Sequence, residues 1–334
     1  MINFPALDRA NKWYKRYASY LNGILNAWHK IIILRHYRNV KIYANIGQRF
    51  PSIVKYLFPL FLLKLINLNN SIVFSLHGSI FYSWKKFGIN GILIRLFSKI
   101  SKQITVLSSK QKSALTNFGI RKSKIQIVNN TTEYKTLDIK SIQEKHSNNR
   151  QINILHLSLL LESKGFPEYL NSLLKVNKEK SIQKIIKAVL CGPIAFSGYC
   201  TKFTDEESKK NWINKKIDKI NSQDLVKAKW VKGASGKKKE DLYKNAHIFV
   251  FPSVFPVEAQ PLVLLEAMAN GCAIITSDVG EIPTMLNHKS AIILDRLDSN
   301  TIAMEIESLI KNNMKRLSLA LEANKRYKKY YSQK

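Results

Sequence analysis

A chain of 334 residues is long enough for two α/β domains with separate cores. Residues 1–132 contain 21 Lys and Arg but only one acidic residue, Asp8, within a chain of formal charge +31. This excess predicts attraction to anionic lipids, diphosphate-linked substrates or nucleic acid, and charge alone does not choose among them. Three cysteines without paired or metal-like spacing, and no secretory signal pattern, argue against an exported disulfide scaffold and indicate a cytoplasmic protein.

The first half of the chain alternates short apolar runs with helical stretches. Strands are predicted at Lys41 to Asn45, Ser71 to Leu76, Ile104 to Leu107 and Ile125 to Val128. The second of these runs into the sequence SLHGS, which places His77 at the carboxyl end of a strand, where open α/β sheets bind ligands. A single histidine is more often a packing or surface residue, so its position makes it a candidate, not its type.

A fresh series of α/β elements begins after a polar, charged segment, which we interpret as a linker over residues 139–150. The predicted strands of this second half are Ile152 to Ser158, Ile185 to Leu190, Val226 to Val231, His247 to Phe251, Ala273 to Thr276 and Ala291 to Leu294. Their alternation with helices predicts a parallel sheet. We therefore assign one domain to residues 1–138, a second to 151–313 and a final helix to 314–334.

The segment from Phe249 to Leu286 carries the clearest functional signal. Its two glutamates lie eight positions apart, Glu258 in a loop and Glu266 within the apolar helix that Pro261 begins. A carboxylate on such a helix needs a partner, and the free amides at the helix start are able to hold an anion. The alternative is a solvated loop glutamate and a structural salt bridge.

This segment resembles the signature of the family 4 retaining nucleotide-sugar glycosyltransferases, which have the GT-B fold of two Rossmann-like domains. The resemblance implies that Glu258 lies beside the transferred sugar and that Glu266 binds the ribose of the nucleotide. It also makes Gln260, Pro261 and Leu262 expected donor contacts. In such enzymes the final helix typically crosses back to the first domain.

The sequence ILHLSLLLESKG, residues 154–165, resembles the first strand and loop of the family's nucleotide-binding domain. Lys164 matches the lysine that contacts the donor diphosphate, where a cation stabilises the leaving group. The family's Gly-Arg pair aligns with Ser158 and Leu159, so one of two expected cations is missing. Ser158 is nevertheless kept as a donor contact.

Two further features bear on the resemblance. Lys232 and Gly233, after a predicted strand, fit a position near the nucleotide base. Residues Met1 to Tyr20 contain no recognisable apolar strand or glycine-rich loop of the kind with which members usually begin. Either these elements are absent, which would give a shortened N-terminal domain, or their sequences have diverged beyond recognition.

The absence of Asp-x-Asp motifs and of metal-spaced Cys/His clusters predicts a metal-independent enzyme, and no nucleic-acid motif is present. We expect a retaining hexosyltransferase that uses a UDP- or GDP-linked sugar and a lipid-linked oligosaccharide or polysaccharide acceptor, with His77 bordering the reacting centre. Its expected place is the inner face of the cell membrane, at an anionic surface, in lipopolysaccharide, O-antigen or capsule synthesis. The alternatives are a GT-B-like binding protein of little or no activity, and nucleic-acid binding.

Overall fold

The computed structural model describes residues 13–33, 41–47, 57, 59–65, 71–147, 150–199 and 202–332. The chain divides into two compact units between Val128 and Asn129. Both contain parallel strands connected by helices, which confirms the α/β fold class expected from the alternation of apolar runs.

Within its described residues, the first unit has a sheet of four parallel strands in the order β1-β2-β3-β4. The strands are β1 Lys41–Asn45, β2 Ser71–Leu76, β3 Gln103–Val106 and β4 Ile125–Ile127. The helices are α1 Trp13–Ile33, α2 Ile89–Ile100 and α3 Ser109–Asn117, and residues 59–65 are also helical. Phe74 of β2 meets Phe97 of α2 edge-on, with ring centroids 4.6 Å apart, and both are buried in the core of this unit.

The expected absence of a first strand and glycine-rich loop concerns residues Met1 to Tyr20. Residues 1–12 lie outside the described residues, and residues 13–20 belong to helix α1. The first strand of the described chain is therefore β1, at the edge of the sheet.

The described part of the second unit has a six-stranded parallel sheet in the order β10-β9-β8-β5-β6-β7. Its strands are β5 Gln151–Leu157, β6 Ile185–Cys191, β7 Val226–Val231, β8 Ile248–Phe251, β9 Ala273–Thr276 and β10 Ile292–Ile293. The chain adds strands on one side of β5 as far as β7 and then returns to the other side at β8. This reversal creates a topological switch point between β5 and β8, where open α/β sheets bind ligands.

Helices pack on both faces of this sheet. They are α4 Ile139–Ser147, α5 Phe166–Val176, α6 Glu206–Asn221, α7 Gly236–Asn245, α8 Leu262–Ala269, α9 Ile282–Met285, α10 Ser299–Lys311 and α11 Asn313–Tyr330. Ile154 of β5 packs in one core with α5 and α10, and its neighbour Leu155 packs in another with α8 and α11. Because successive side chains of a strand point to opposite faces, the sheet is buried on both.

Helix α4 covers most of the segment that the sequence analysis interpreted as a linker. Its side chains Ile142 and His146 are buried, so the segment is part of the second unit and not a connection between units. The final helix α11 packs on α8 and α4 of its own unit. Its predicted return to the first unit stays a prediction.

Candidate functional site

The loops that follow β5 and β8 come into close contact at the switch point. Gly165 ends the first loop with φ +80°, and a Cβ placed there would lie 2.3 Å from the carbonyl oxygen of Pro252 in the second loop. The Val254 amide donates to the Ser163 carbonyl at 2.8 Å. Glycine is needed at position 165 for its backbone conformation and for this close approach.

This contact brings together two residues that the sequence analysis selected, Lys164 and Glu258. The Lys164 ammonium donates to Glu258 Oε1, and the two side chains are 15% and 7% exposed. Ser253 Oγ lies 2.8 Å from the same carboxylate oxygen and donates to it. Lys164 Nζ also lies 4.3 Å from the ring centroid of Phe255, a cation–π contact that holds the ammonium on its second side. A half-buried cation and a buried carboxylate are thereby fixed at the carboxyl ends of β5 and β8.

A third loop supports Glu258 from behind. Gly280 follows β9 with φ +64°, and a Cβ there would lie 2.1 Å from the Glu258 carbonyl oxygen. The main chain of Glu258 is therefore held by loops from two neighbouring strands.

A cleft of about 670 Å³ opens on the same edge of the sheet, at the carboxyl ends of β5, β6 and β7. Its walls come from five segments: Ser158 and Leu159 after β5, Gly192 and Pro193 after β6, Gly233 to Ser235 after β7, Lys238 and Lys239 on α7, and Val263 on α8. A cleft of this size, lined by glycine backbone and by lysines, suits a phosphorylated ligand of nucleotide size.

Glu266 of α8 is 6% exposed and pairs with Lys239 of α7, whose Nζ lies 2.6 Å from Oε1. Its other oxygen, Oε2, is buried and accepts no hydrogen bond from the part of the chain that the structure describes. Burial and the neighbouring Glu266 carboxylate raise the pKa of Tyr134 to about 12 and that of Tyr243 well above its usual range. Glu266 therefore has one compensated oxygen and one that can accept a hydroxyl hydrogen.

Helix α8 presents its first amides beside the same cleft. Pro261 is the N-cap, so the helix begins at Leu262, one position after its predicted start, and the first hydrogen bond inside the helix comes from the Leu264 amide. The amides of Leu262 and Val263 precede that bond, which is the arrangement that binds anions at helix N-termini.

His156, in β5, orients the cleft residue Ser158. Burial lowers the pKa of His156 to about 4, so the ring is neutral. Its Nδ1 lies 2.9 Å from the Val250 carbonyl oxygen, which only accepts, so Nδ1 carries the hydrogen. Nε2 then accepts from Ser158 Oγ, also at 2.9 Å.

Other predicted site residues have different surroundings. Gln260 is buried and bonds to the loop after β4: its Oε1 accepts from the Asn130 amide at 2.9 Å, and its Nε2 donates to Asn129 Oδ1 at 3.0 Å. Lys232 is exposed, with its ammonium 6.0 Å from the Trp230 ring centroid. His77 belongs to the first unit, where it follows β2 and its Nε2 lies 2.8 Å from Ser75 Oγ. Their roles toward a donor stay predictions.

The sequence analysis missed Ser253 and Lys239. Ser253 gave no signal, because its bond to Glu258 depends on the path of an irregular loop. Lys239 is one of three consecutive lysines, but it lies four residues before the buried Tyr243 and hence on the inward face of α7. That spacing distinguishes it from Lys237 and Lys238.

The described residues contain neither a metal-binding cluster nor a membrane-spanning helix. No group of three or more His, Cys, Asp or Glu side chains in the described ranges is arranged to hold a metal ion. No described helix is both long enough and apolar enough to span a bilayer.

The fold and the cleft define a protein of two Rossmann-like units whose second unit carries a crevice for a phosphorylated ligand. Residues 138–330, more than half of the chain, match the family described as glycosyl transferases group 1. The chain belongs to this family. A comparison with curated protein sequences gave no match.

Solved structures of low sequence identity share the fold. HepE from Anabaena in complex with UDP aligns with a TM-score of 0.66 at 17% identity, over 92% of this chain and 78% of HepE. A UDP-forming trehalose-phosphate synthase from Burkholderia vietnamiensis aligns with a TM-score of 0.64 at 12% identity, over 96% of this chain and 77% of the synthase. A trehalose-6-phosphate synthase studied for glycosyl transfer with retention aligns with a TM-score of 0.65 at 14% identity, over 97% of this chain and 77% of the synthase. The expected GT-B arrangement of two Rossmann-like domains is thus confirmed as the fold class.

Proposed function

We propose that this glycosyltransferase is a retaining hexosyltransferase, like those of family 4, that transfers a sugar from a UDP- or GDP-linked donor. The observation that carries the proposal is the ion pair of Lys164 and Glu258 at the switch point, on the same edge of the sheet as a cleft lined by Lys239, the partner of Glu266. The complexes of HepE with UDP and with UDP-glucose support this class of donor.

In this proposal the nucleoside diphosphate lies in the cleft. A ribose hydroxyl donates to Glu266 Oε2, the buried oxygen without a hydrogen bond in the described chain. The first amides of α8 and the Lys164 ammonium bind the diphosphate, and Gly233 leaves room for the base. The diphosphate and the Glu258 carboxylate compete for the Lys164 ammonium. When the diphosphate binds Lys164, the Glu258 carboxylate can accept hydrogen bonds from the hydroxyls of the sugar.

The reaction breaks the bond between the anomeric carbon and the diphosphate oxygen and forms a bond from the same carbon to the acceptor hydroxyl oxygen. Negative charge grows on the departing diphosphate, where Lys164 and the helix amides stabilise it. Residues 9–132 contain no Asp or Glu that could act as a base. This scarcity agrees with the mechanism that the family resemblance implies, in which the acceptor proton passes to the leaving diphosphate, on the face from which it departs, and the configuration is retained. The trehalose-6-phosphate synthase, a structural neighbour with retention, supports this outcome.

The chemistry of the site places the required positive charge on protein groups, so we further propose that transfer needs no metal ion. Turnover in excess EDTA is expected to equal turnover in buffer containing Mg²⁺. A large, Mg²⁺-reversible loss would contradict the proposal.

The proposed acceptor is a lipid-linked oligosaccharide or polysaccharide of the cell surface, reached at the cytoplasmic face of the membrane. The basic residues of the first unit support this place, because lipid-linked acceptors and anionic lipids share a phosphate-rich surface. Exposed lysines bind such a surface through charge without the need for a dedicated cavity.

The test begins with thermal unfolding in the presence of a panel of UDP- and GDP-sugars. A donor that binds the folded chain raises its apparent Tm by mass action. The stabilising donor is then used in hydrolysis and transfer assays, with Glu258→Ala as the catalytic control. Stabilisation and turnover that disappear in Glu258→Ala support the proposal.

Stabilisation by a donor without any turnover in the intact chain would instead favour the second candidate, a GT-B-like binding protein at the membrane. Leu159 is the observation in its favour, since an apolar side chain, 55% exposed, stands at the cleft where the family resemblance expects a cation. No stabilisation by any donor would contradict both candidates.

A further inference from the structure

Helix α2 in the first unit is apolar on two opposite sides. Gly91, Ile94 and Phe97 are buried against the sheet. The other side presents Ile89, Ile92 and Leu96 to solvent, with 64%, 45% and 42% of each residue exposed, and Phe87 just before the helix is 79% exposed. We call Phe87, Ile89, Ile92 and Leu96 the α2 row. Its spacing follows one face of a helix, and an exposed apolar face of this kind marks an interaction surface.

The α2 row is held rigidly. Gly91 packs so closely on the preceding turn that a Cβ there would lie 2.5 Å from the Lys85 carbonyl oxygen and 2.6 Å from that of Lys86. Arg95 donates to the carbonyl oxygens of Gly91 and Lys86 at 3.2 and 3.3 Å. Phe87 is therefore fixed beside the helix, so the surface needs little ordering before it binds a partner.

Cations surround the α2 row. Lys85, Lys86 and Lys99 are exposed, and Arg95 is half-buried. Lys86 and Arg95 lie 5.7 and 5.8 Å from the centroid of the Phe87 ring. The sequence from Arg9 to Thr132 contains no carboxylate to compensate these charges. An apolar face bordered by uncompensated cations fits a partner that offers hydrocarbon and negative charge together.

We propose that the α2 row inserts into the headgroup region of a bilayer that contains anionic phospholipids. Helix α2 is about 18 Å long, against about 30 Å of hydrocarbon in a bilayer, so it lies in the plane of the interface and does not cross it. A second copy of the chain fits less well, because two such surfaces would bring like charges together. Nucleic acid fits less well also, because it would leave the apolar side chains in water. The inference rests on the membrane location proposed above and not on catalysis.

The experiment measures binding of the full chain to vesicles by flotation. The vesicles are phosphatidylcholine alone, or phosphatidylcholine with about 30 mol% phosphatidylglycerol. The test variant is Ile92→Gln/Leu96→Gln. Its matched control is Met304→Gln/Met314→Gln, which removes apolar side chains that are 67% and 82% exposed on helices of the second unit. Because all four positions are exposed, circular dichroism and Tm should match those of the wild type.

The wild-type chain should bind the anionic vesicles and bind neutral ones far less. Removal of two inserted apolar side chains should lower the partition coefficient about tenfold or more. The methionine control should bind like the wild type.

A second arm tests the charge. Lys85→Gln/Lys86→Gln should weaken vesicle binding about tenfold, whereas the exposed pair Lys187→Gln/Lys229→Gln on the second unit should have little effect. The turnover of all these variants with a soluble acceptor should equal that of the wild type.

Four results would overturn the inference. Equal vesicle binding by wild type and α2-row variants would place the membrane-binding surface elsewhere and leave the proposed membrane location intact. No vesicle binding by the wild type would contradict both the α2-row inference and the proposed membrane location. A change in oligomeric state on Ile92→Gln/Leu96→Gln, seen by light scattering, would identify the row as a contact between copies. Tighter binding to DNA than to anionic vesicles at equal salt would assign the surface to nucleic acid. Donor stabilisation and turnover are measured separately, so the catalytic proposal is judged on its own.

Discussion

Lys164 and Glu258 neutralise each other in a nearly buried place, and this determines what each substitution costs. Lys164→Met leaves the Glu258 carboxylate with Ser253 as a donor but without the ammonium of its partner, which should destabilise the protein by about 3 kcal/mol and abolish turnover. Glu258→Gln removes the charge but keeps an acceptor, so it should cost less stability and nearly as much activity.

The double variant Lys164→Met/Glu258→Gln separates structure from chemistry. Its free energy of unfolding in urea should recover part of the loss caused by Lys164→Met, while turnover should stay absent. A double variant no more stable than Lys164→Met would show that the two charges are not coupled.

Gly165 allows a second prediction with a matched control. Gly165→Ala adds a methyl group 2.3 Å from the Pro252 oxygen at φ +80°, so the loops of β5 and β8 must separate. Gly119→Ala has a similar φ of +87° but no atom within 4 Å of the added Cβ. Gly119→Ala should cost about 1 kcal/mol and Gly165→Ala more than about 3 kcal/mol. Gly165→Ala should also lower donor affinity, measured by titration with the stabilising nucleotide-sugar, whereas equal effects of the two substitutions would contradict the steric argument.

Helix α4 links the C-terminal ends of two other helices of the second unit through the Lys145 side chain. The Lys145 ammonium donates to the Tyr243 carbonyl near the end of α7, at 3.2 Å, and to the Asn270 carbonyl at the end of α8, at 2.9 Å. Burial lowers the pKa of Lys145. A cation at two helix C-termini is favoured by the helix dipoles and by the unpaired carbonyls there. The Lys145 side chain therefore connects helices α7 and α8, which carry Lys239 and Glu266, at their C-terminal ends.

Two buried histidines next to Lys145, His146 and His247, are neutral in the folded chain. His247 Nδ1 accepts from the Asn153 amide, and its Nε2 donates to the Lys145 carbonyl, both at 3.0 Å. His146 Nε2 donates to the Gly271 carbonyl at 3.0 Å, and its Nδ1 accepts from Arg316 Nε at 3.3 Å. Burial lowers the pKa of His247 to about 4 and of His146 to about 3, and the cations Lys145 and Arg316 add to the effect.

These lowered pKa values predict acid sensitivity. Below the ordinary histidine pKa of 6.5 the unfolded chain binds protons that the folded chain does not, so stability is complete above that pH and falls as the pH decreases. The loss should be about 2 kcal/mol per histidine between pH 7 and pH 5. Urea unfolding at several pH values measures it. His247→Gln should flatten the profile, and a profile identical to that of the wild type would contradict the assignment.

Regular elements were easier to predict from sequence than were the contacts between them. Strands β1, β2, β7 and β9 begin and end where they were predicted. Strands β2 and β9 are largely apolar, as inner strands of a parallel sheet are, whereas the edge strands β1 and β7 contain exposed polar residues. Helix α4 was mistaken for a linker because its buried face consists of little more than Ile142 and His146 in an otherwise polar sequence.

The site shows the same division. Lys164 and Glu258 were identifiable from a family pattern, but their direct pairing depends on a glycine whose missing Cβ lets two loops approach. The bonds of Gln260 to Asn129 and Asn130 join positions 130 residues apart, which no local pattern reveals.

At the scale of the whole chain, the charge of +31 and the α2 row make different contributions to binding. Binding to DNA through charge alone should fall on the order of 1000-fold between about 50 and 200 mM salt. Vesicle binding should fall by a smaller factor, because insertion of the α2 row is not screened. Parallel salt titrations measure both. If the affinities for DNA and for vesicles fell equally with salt, the α2 row would make no contribution to vesicle binding.

The order of strands in the second unit has a consequence for how specificity can change. Lys164 and Glu258 follow β5 and β8, whereas the cleft walls at Gly192 and Gly233 follow β6 and β7. Loops at the ends of strands vary in length without disturbing the sheet. An exchange of the β6 and β7 loops with those of a relative should therefore alter which nucleotide is accepted while the bond-breaking centre is preserved. Under the proposed function, the base would then be recognised through the loops after β6 and β7, while Lys164, Glu258 and the ribose contact Glu266 keep their places after β5 and β8.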